Sequence, residues 1–269
     1  MRVGNDNFQL ESIIILYRKM FFSSGGSKKA GRQILDGLYH FAEQQMLDCN
    51  QYVIHNEDTD ELILVDAGNG KSLPGLFKGM EEVGFQYENI TKVYLTHEHI
   101  DHVIGLYPLL EELKNDPPEI FAYGETAKIL REGNTSKIFP GNLGISPQMF
   151  GVNIHPIEVT ELTTDNTVKI NGQFEFDIYH TPGHSQGSVC YYDSSKKVLI
   201  PGDLVFSGGS IGRYDFPGSS LKQLQNSIKF VAENLDVKYL LPGHMHISTQ
   251  GNQSIQMSNR MVQSAGRFM

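Results

Sequence analysis

Residues 96–102 read Thr96-His97-Glu98-His99-Ile100-Asp101-His102, three imidazoles and two carboxylates in seven positions. A fold gains little from crowding so many ionisable groups together. A divalent cation does use them, because neutral imidazole suits zinc and iron and a carboxylate adds the charge that holds the ion. His97 and His99, two apart in an extended segment leaving a strand, point the same way and can chelate one ion. Asp101 and His102 open the next helix and can turn toward a second ion beside it. Upstream, residues 90–96 read as a buried strand; downstream, 101–113 carry Ile104, Leu106, Leu109 and Leu110 at helical spacing.

Three later segments repeat one device. Thr181-Pro182-Gly183-His184-Ser185, Pro201-Gly202-Asp203 and Pro242-Gly243-His244 each place a ligand-type residue just after an expected strand and beside a glycine that permits a sharp turn. A sheet edge that received all of these strand ends would gather seven ligands, His97, His99, Asp101, His102, His184, Asp203 and His244. His246 lies two beyond His244 and reads as an exposed loop residue. His40, His55, His155 and His180 show no partner pattern.

Outward from these motifs, residues 52–55 and 62–65 are short apolar runs around a polar turn and read as a hairpin, closed by Asp66-Ala67-Gly68. A helix is expected over 73–83, a strand over 120–123, a short helix over 125–131 and a loop over 133–151. Strands follow at 152–157, 174–179, 188–192 and 198–200, then a helix at 221–234 and a strand at 239–241. Before residue 50 the pattern allows a strand at 13–17, a flexible turn at 23–27 and a loose helical period over 34–45. Strands and helices interleave throughout, which predicts an α/β protein of two packed sheets covered by helices, as one domain over 1–269.

Composition narrows the partners. With 22 Lys+Arg against 31 Asp+Glu the 269-residue chain carries a formal charge of −9, the wrong sign for a protein that binds by neutralising phosphates. At 39% hydrophobic it can bury a core, so disorder is excluded as the main state. Cys49 and Cys190 show neither disulfide-framework nor zinc-finger spacing. The apolar run 13–16 is too short for a signal or a membrane span. A cytoplasmic protein acting on a small molecule, with no nucleic acid and no membrane, is the expectation.

The order and spacing of His97–His102, His184, Asp203 and His244 resemble the metallo-β-lactamase-fold hydrolase superfamily, and within it the glyoxalase II-like branch. The resemblance covers residues 50–245 and implies a four-layer αββα sandwich with the site at one edge of its sheets. It implies a first ion on His97, His99 and His184, a second on Asp101, His102 and His244, and Asp203 bridging. Two Zn2+ per chain are the implied cofactor, with iron or mixed Fe/Zn/Mn the alternative. Paired divalent ions lower the pKa of a shared water, which then attacks a thioester, ester or lactone carbonyl, as in hydroxyacylglutathione hydrolases. Asp101 would orient that water or pass on its proton, and Asp66 would support a ligand from behind.

For the substrate, Gly202–Phe206 with Gly208, Gly212 and Arg213 resembles glyoxalase II and persulfide dioxygenases. Arg213 is the candidate for binding a substrate carboxylate bidentately, with Tyr214 and Ser219 on the same rim. Two features depart from glyoxalase II: the chain ends at Met269, too soon after His244 for its helical C-terminal domain, and a long stretch separates His102 from His184. Its loop, with Phe139, Leu143, Met149 and Phe150, is expected to shape an apolar substrate pocket or a homodimer contact. A mononuclear-iron persulfide dioxygenase shares nearly every residue quoted. A lactonase is weakened by Phe206 where such enzymes often carry Tyr, and a non-catalytic scaffold has no need for seven ligands.

Overall fold

In the computed structural model, which describes residues 28–44, 47–139, 144–170 and 172–265, the strands sort their side chains between layers with a period of two. In strands β3 (Gln51–Asn56) and β4 (Glu61–Val65), Tyr52, Ile54, Ile63 and Val65 face one core while Val53, Leu62 and Leu64 face another. Both faces of such a sheet are covered, so the runs read as continuously apolar.

One sheet has seven strands in chain order: β1 (Gly31–Leu35), β2 (Leu38–Phe41), β3, β4, β5 (Ile90–Tyr94), β6 (Glu119–Tyr123) and β7 (Thr160–Leu162). Pairing is antiparallel from β1 to β4 and parallel from β4 to β7. The second sheet is β12-β11-β10-β9-β8, built from β8 (Thr167–Ile170), β9 (Phe174–His180), β10 (Val189–Asp193), β11 (Val198–Ile200) and β12 (Tyr239–Leu240). Its pairs are antiparallel except β11 with β12.

Between the sheets lies a core that includes Tyr52, Tyr94, Phe174, Phe176, Tyr191 and Ile200. Outside the first sheet, helices α1 (Leu73–Glu82), α2 (Ile100–Val103), α3 (Leu106–Glu112), α4 (Gly124–Glu132) and α5 (Thr135–Ile138) share a second core through Leu76, Met80, Val103, Leu109, Leu130 and Ile138. Outside the other sheet, α6 (Leu221–Asn234) and α7 (Gly251–Ala265) pack Leu224, Ile228, Val231, Ile255 and Val262 on Cys190 and Leu199. The layers run helix, sheet, sheet, helix.

Several local expectations are corrected. Of the helical period expected over 34–45, residues 34–41 belong instead to the hairpin β1–β2, and residue 45 lies outside the described residues: Gly37 takes φ +71° at the turn, and from Leu38 successive side chains go to opposite cores. The helix expected over 101–113 is broken into α2 and α3, because Pro108 cannot donate to the carbonyl of Ile104. Residues 152–157 form no strand; Pro156 interrupts them, Ile157 N–H bonds the Leu130 carbonyl, and the chain joins the sheet only at β7. Within 133–151, α5 and a 3-10 turn at Pro147–Phe150 occur. Strands β7 and β8 and helix α7 have no counterpart in the sequence reading; α7 buries only Ile255 and Val262 among large apolar side chains, with the small Gly251, Ser254 and Ser258 beside them, while Met257 and Met261 are exposed. Residues 13–17, 23–27 and Leu143 lie outside the described residues.

Candidate metal centre

Strands β4, β5, β9, β11 and β12 all end at the same edge of the sandwich, because each runs parallel to the others in its own sheet. The turns after them bring Asp66, His97–His102, His184, Asp203 and His244 together. Beyond β5 the chain stays extended, so His97 and His99 share a side and Glu98 faces away. Glu98 Oε2 accepts hydrogen bonds from Thr126 Oγ1 and Ser185 Oγ, both at 2.8 Å, which ties the turn carrying His184 to α4. Gly183 (φ +139°) and Gly202 (φ +53°) adopt backbone that other residues rarely take, and so aim His184 and Asp203 back over the edge.

The ligand-type atoms form clusters each within 4.8 Å: His97, His99 and His184; Asp101, His102 and His244; and His97, His102 and Asp203. Between the two outer groups lies Asp203, its carboxylate 3.5 Å from His102 Nε2, 3.5 Å from His184 Nε2 and 3.3 Å from His244 Nε2. His244 Nε2 is 3.2 Å from Asp101 Oδ2, and His99 Nδ1 is 2.7 Å from His184 Nε2. All seven expected ligands meet, while His246 is exposed and outside the clusters.

Four imidazoles have one nitrogen engaged on the side away from the cluster. His97 Nδ1 donates to Thr96 Oγ1 (3.0 Å), His102 Nδ1 to Asp66 Oδ2 (2.8 Å), His184 Nδ1 to the Arg213 carbonyl (2.8 Å) and His244 Nδ1 to Glu43 Oε2 (2.7 Å). Their Nε2 atoms converge. His97 Nε2, His102 Nε2 and Asp203 Oδ1 are buried without a hydrogen-bond partner. Buried polar atoms are normally paired, so orphaned nitrogens and a carboxylate oxygen aimed at one space fit a divalent cation, which nitrogen and oxygen donors bind well.

Electrostatics agree. Burial pushes His99 and His184 down to about 4, with the nearby imidazoles adding to the effect at both, and burial takes His97 well below its usual value. These three are neutral at neutral pH, the form that ligates. Burial opposes charge on His244 too, but Asp203 and Asp101 outweigh it and raise its pKa. His102 is raised against its burial by Cys49, Asp66 and Asp203. Asp203 is held well below the usual carboxylate range, since His244 and His102 outweigh its burial. Protonated imidazoles around a buried carboxylate mark a place where a metal ion would replace protons.

The substrate candidates sit differently. The Arg213 guanidinium grips Asp215 through two hydrogen bonds of 2.9 and 2.7 Å and lies 4.3 Å over the Phe216 ring, so its fork is filled by the chain itself. Its carbonyl, not its side chain, reaches the site. Tyr214 packs against the core beneath α6 and α7, and Ser219 Oγ donates to the Phe216 carbonyl. Phe216 stands edge-on to His99 and His184 (ring centroids 5.1 and 5.9 Å), and Phe206 lies 6.0 Å from His244. In the 133–151 segment Phe139 and Phe150 are buried in the helix-side core of the seven-stranded sheet, while Met149 is exposed. Sequence reasoning missed Glu43, Thr96 and Asn50 as supports of the site.

A two-sheet sandwich with His and Asp clusters at its edge defines a metallohydrolase class, and the chain belongs to the metallo-beta-lactamase superfamily, matching that family over residues 46–244. It is therefore a metallo-hydrolase, on a fold suited to divalent metal. Among proteins it resembles, hydroxyacylglutathione hydrolase GloC of Haemophilus influenzae is 30% identical over 202 residues, 73% of this chain and 86% of GloC. Human acyl-coenzyme A thioesterase MBLAC2 is 25% identical over 253 residues, 88% of each chain. The crystal structure of TTHA1623 in a di-iron-bound form is 27% identical, with TM-score 0.61, over 79% of this chain and 95% of that one. Among the described residues no helix is long and apolar enough to cross a membrane.

Proposed function

We propose that the protein is a dinuclear metallohydrolase that cleaves a thioester or related acyl bond of a small molecule. The observation that carries this reading is the set of orphaned, convergent donors, His97 Nε2, His102 Nε2 and Asp203 Oδ1, flanked by two complete triads. When bound, paired divalent ions supply a water acidic enough to ionise near neutral pH and an electrophile for the substrate carbonyl. Zinc suits the donor set, and iron suits it as well, as the di-iron form of a 27% identical structure supports.

The chain's own residues do the rest. His97, His99 and His184 stay neutral because they are buried, and Thr96 and the Arg213 carbonyl fix which nitrogen faces the site. Asp203 lies between the triads and Asp101 stands at their partly exposed side, its side chain 16% accessible, where it can accept a proton from the attacking water. Phe216 stands beside His99 and His184 and Phe206 beside His244, apolar rings next to both triads that suit an acyl group. With Arg213 already paired to Asp215, the rim favours recognition through the acyl chain over a carboxylate grip of the glutathione kind.

A persulfide dioxygenase shares these ligands, so metal content and turnover separate it from the two-ion reading. The test is metal content by elemental mass spectrometry on protein purified without added metal, followed by acyl-CoA, acylglutathione and lactone panels. About two ions per chain with thioesterase turnover is the expected result; about one iron, with oxygen uptake on persulfides and no thioester cleavage, would overturn it.

A further inference from the structure

The two halves of the centre are supported by different chemistry. Behind the first triad the outer nitrogens of His97 and His184 meet neutral groups, the Thr96 hydroxyl and the Arg213 carbonyl. Behind the second triad both histidines meet carboxylates: His102 Nδ1 is 2.8 Å from Asp66 and His244 Nδ1 is 2.7 Å from Glu43. A carboxylate accepting from one ring nitrogen fixes the tautomer and makes the other a stronger ligand.

Glu43 lies just beyond β2 and reaches the loop after β12. While Oε2 holds His244, Oε1 accepts the backbone N–H of Met245 at 2.8 Å, and Met245 is in the left-handed region at φ +66°. The same stretch braces the rest of that turn. Asn50 Nδ2 donates to the carbonyls of Pro242 and Met245, Asn50 N–H to that of Gly243, and Tyr52 to that of Pro242, while Asn50 Oδ1 accepts from Glu43 N–H. Within the 242–245 turn Asn50 and Tyr52 hold only backbone carbonyls; among the described residues Glu43 is the group hydrogen-bonded to the His244 Nδ1.

We propose that Glu43 is a positioning residue that sets the metal affinity of the second triad, Asp101, His102 and His244, and leaves the first triad unaffected. This rests on the two-ion reading above. Glu43→Gln keeps the shape but removes the charge, and its amide cannot accept from both His244 Nδ1–H and Met245 N–H with the same two atoms.

The experiment is competitive zinc titration against a chromophoric chelator, with elemental mass spectrometry, on full-length wild type and Glu43→Gln. Expected are two zinc ions in wild type, and in the variant one site unchanged and the other weakened by about 10- to 100-fold. Equal affinities in the two proteins, or equal weakening of both sites, would overturn the role of Glu43 alone. Only one ion in wild type would overturn the two-ion reading and this proposal with it. Should the variant fail to fold, nitrogen–proton spectra of zinc-loaded wild type decide. A far-downfield, solvent-protected His244 Nδ1–H supports the proposal, and its absence refutes it.

Discussion

Asp66 and His102 are joined at 2.8 Å, Oδ2 to Nδ1, and the same carboxylate accepts the backbone N–H and the hydroxyl of Thr96, each at 2.8 Å. One buried side chain thus fixes both the exit of β5 and the ring that the α2 turn presents. In Asp66→Asn the amide must aim its NH2 at a donor. We expect second-ion affinity to fall about 10- to 100-fold and the fold to lose about 1–3 kcal/mol, read by zinc titration and urea melts.

Asp203 has no substitute at the centre, with three imidazole nitrogens within 3.5 Å of its carboxylate. Asp203→Ala should cut turnover by more than about 100-fold, beyond the effect typical of outer partners, and lower metal content with circular dichroism unchanged. Near-wild-type turnover would contradict the bridging assignment.

Gly243 is required for space. A Cβ there would fall against Asp203 Oδ1 and His102 Cε1. Gly243→Ala should therefore push the two ligands apart, costing about 1–3 kcal/mol and depleting bound metal. Retained metal content and an unchanged melting temperature would show that the site yields more easily than its packing implies.

Metal-stripped protein should lose stability in mild acid. His99 and His184 titrate near 4 when folded against about 6.5 when unfolded. Between those values the unfolded chain binds protons that the fold excludes, so stabilisation present above pH 6.5 is lost as the pH falls toward 4. Each such group changes the folded-to-unfolded ratio by about tenfold per pH unit. His102 and His244, raised in the fold, stay protonated when folded and are only half protonated at about pH 6.5 when unfolded, so they offset a small part of the slope near the top of this window and none of it lower down. Urea midpoints at pH 6.5 and 4.5 measure the drop; a flat profile would argue against buried neutral imidazoles.

Arg213→Ala should change KM for an acylglutathione by less than about fivefold, the reach of an exposed ion pair of about 1 kcal/mol, because Asp215 already occupies the guanidinium. The carbonyl that holds His184 survives the substitution. A tenfold or larger rise confined to carboxylate-bearing substrates would restore Arg213 as the anchor.

Much of this was written locally. The alternation of His97 and His99, the strand-then-glycine turns before His184 and Asp203, and the apolar runs of β3, β4, β5 and β10 follow from a period of two and from backbone that glycine alone adopts easily, so the gathering of His and Asp side chains at one edge and the layered architecture were readable in the chain. The edges were not. Residues 34–41 folded as part of a hairpin because their side chains had two cores to fill, and α7 formed because a thin stripe found the face of α6 and the second sheet. Hydrophobic period gives a preference that tertiary burial can override. What only the tertiary structure decided is the support around the ligands. Glu43 reaches His244 across 201 positions of chain, the Arg213 carbonyl holds His184, and the Arg213 guanidinium, expected to grip a substrate carboxylate, is taken by Asp215 instead. Hydrogen bonds between residues far apart in sequence leave no local pattern, since their geometry exists only after the sheets have packed.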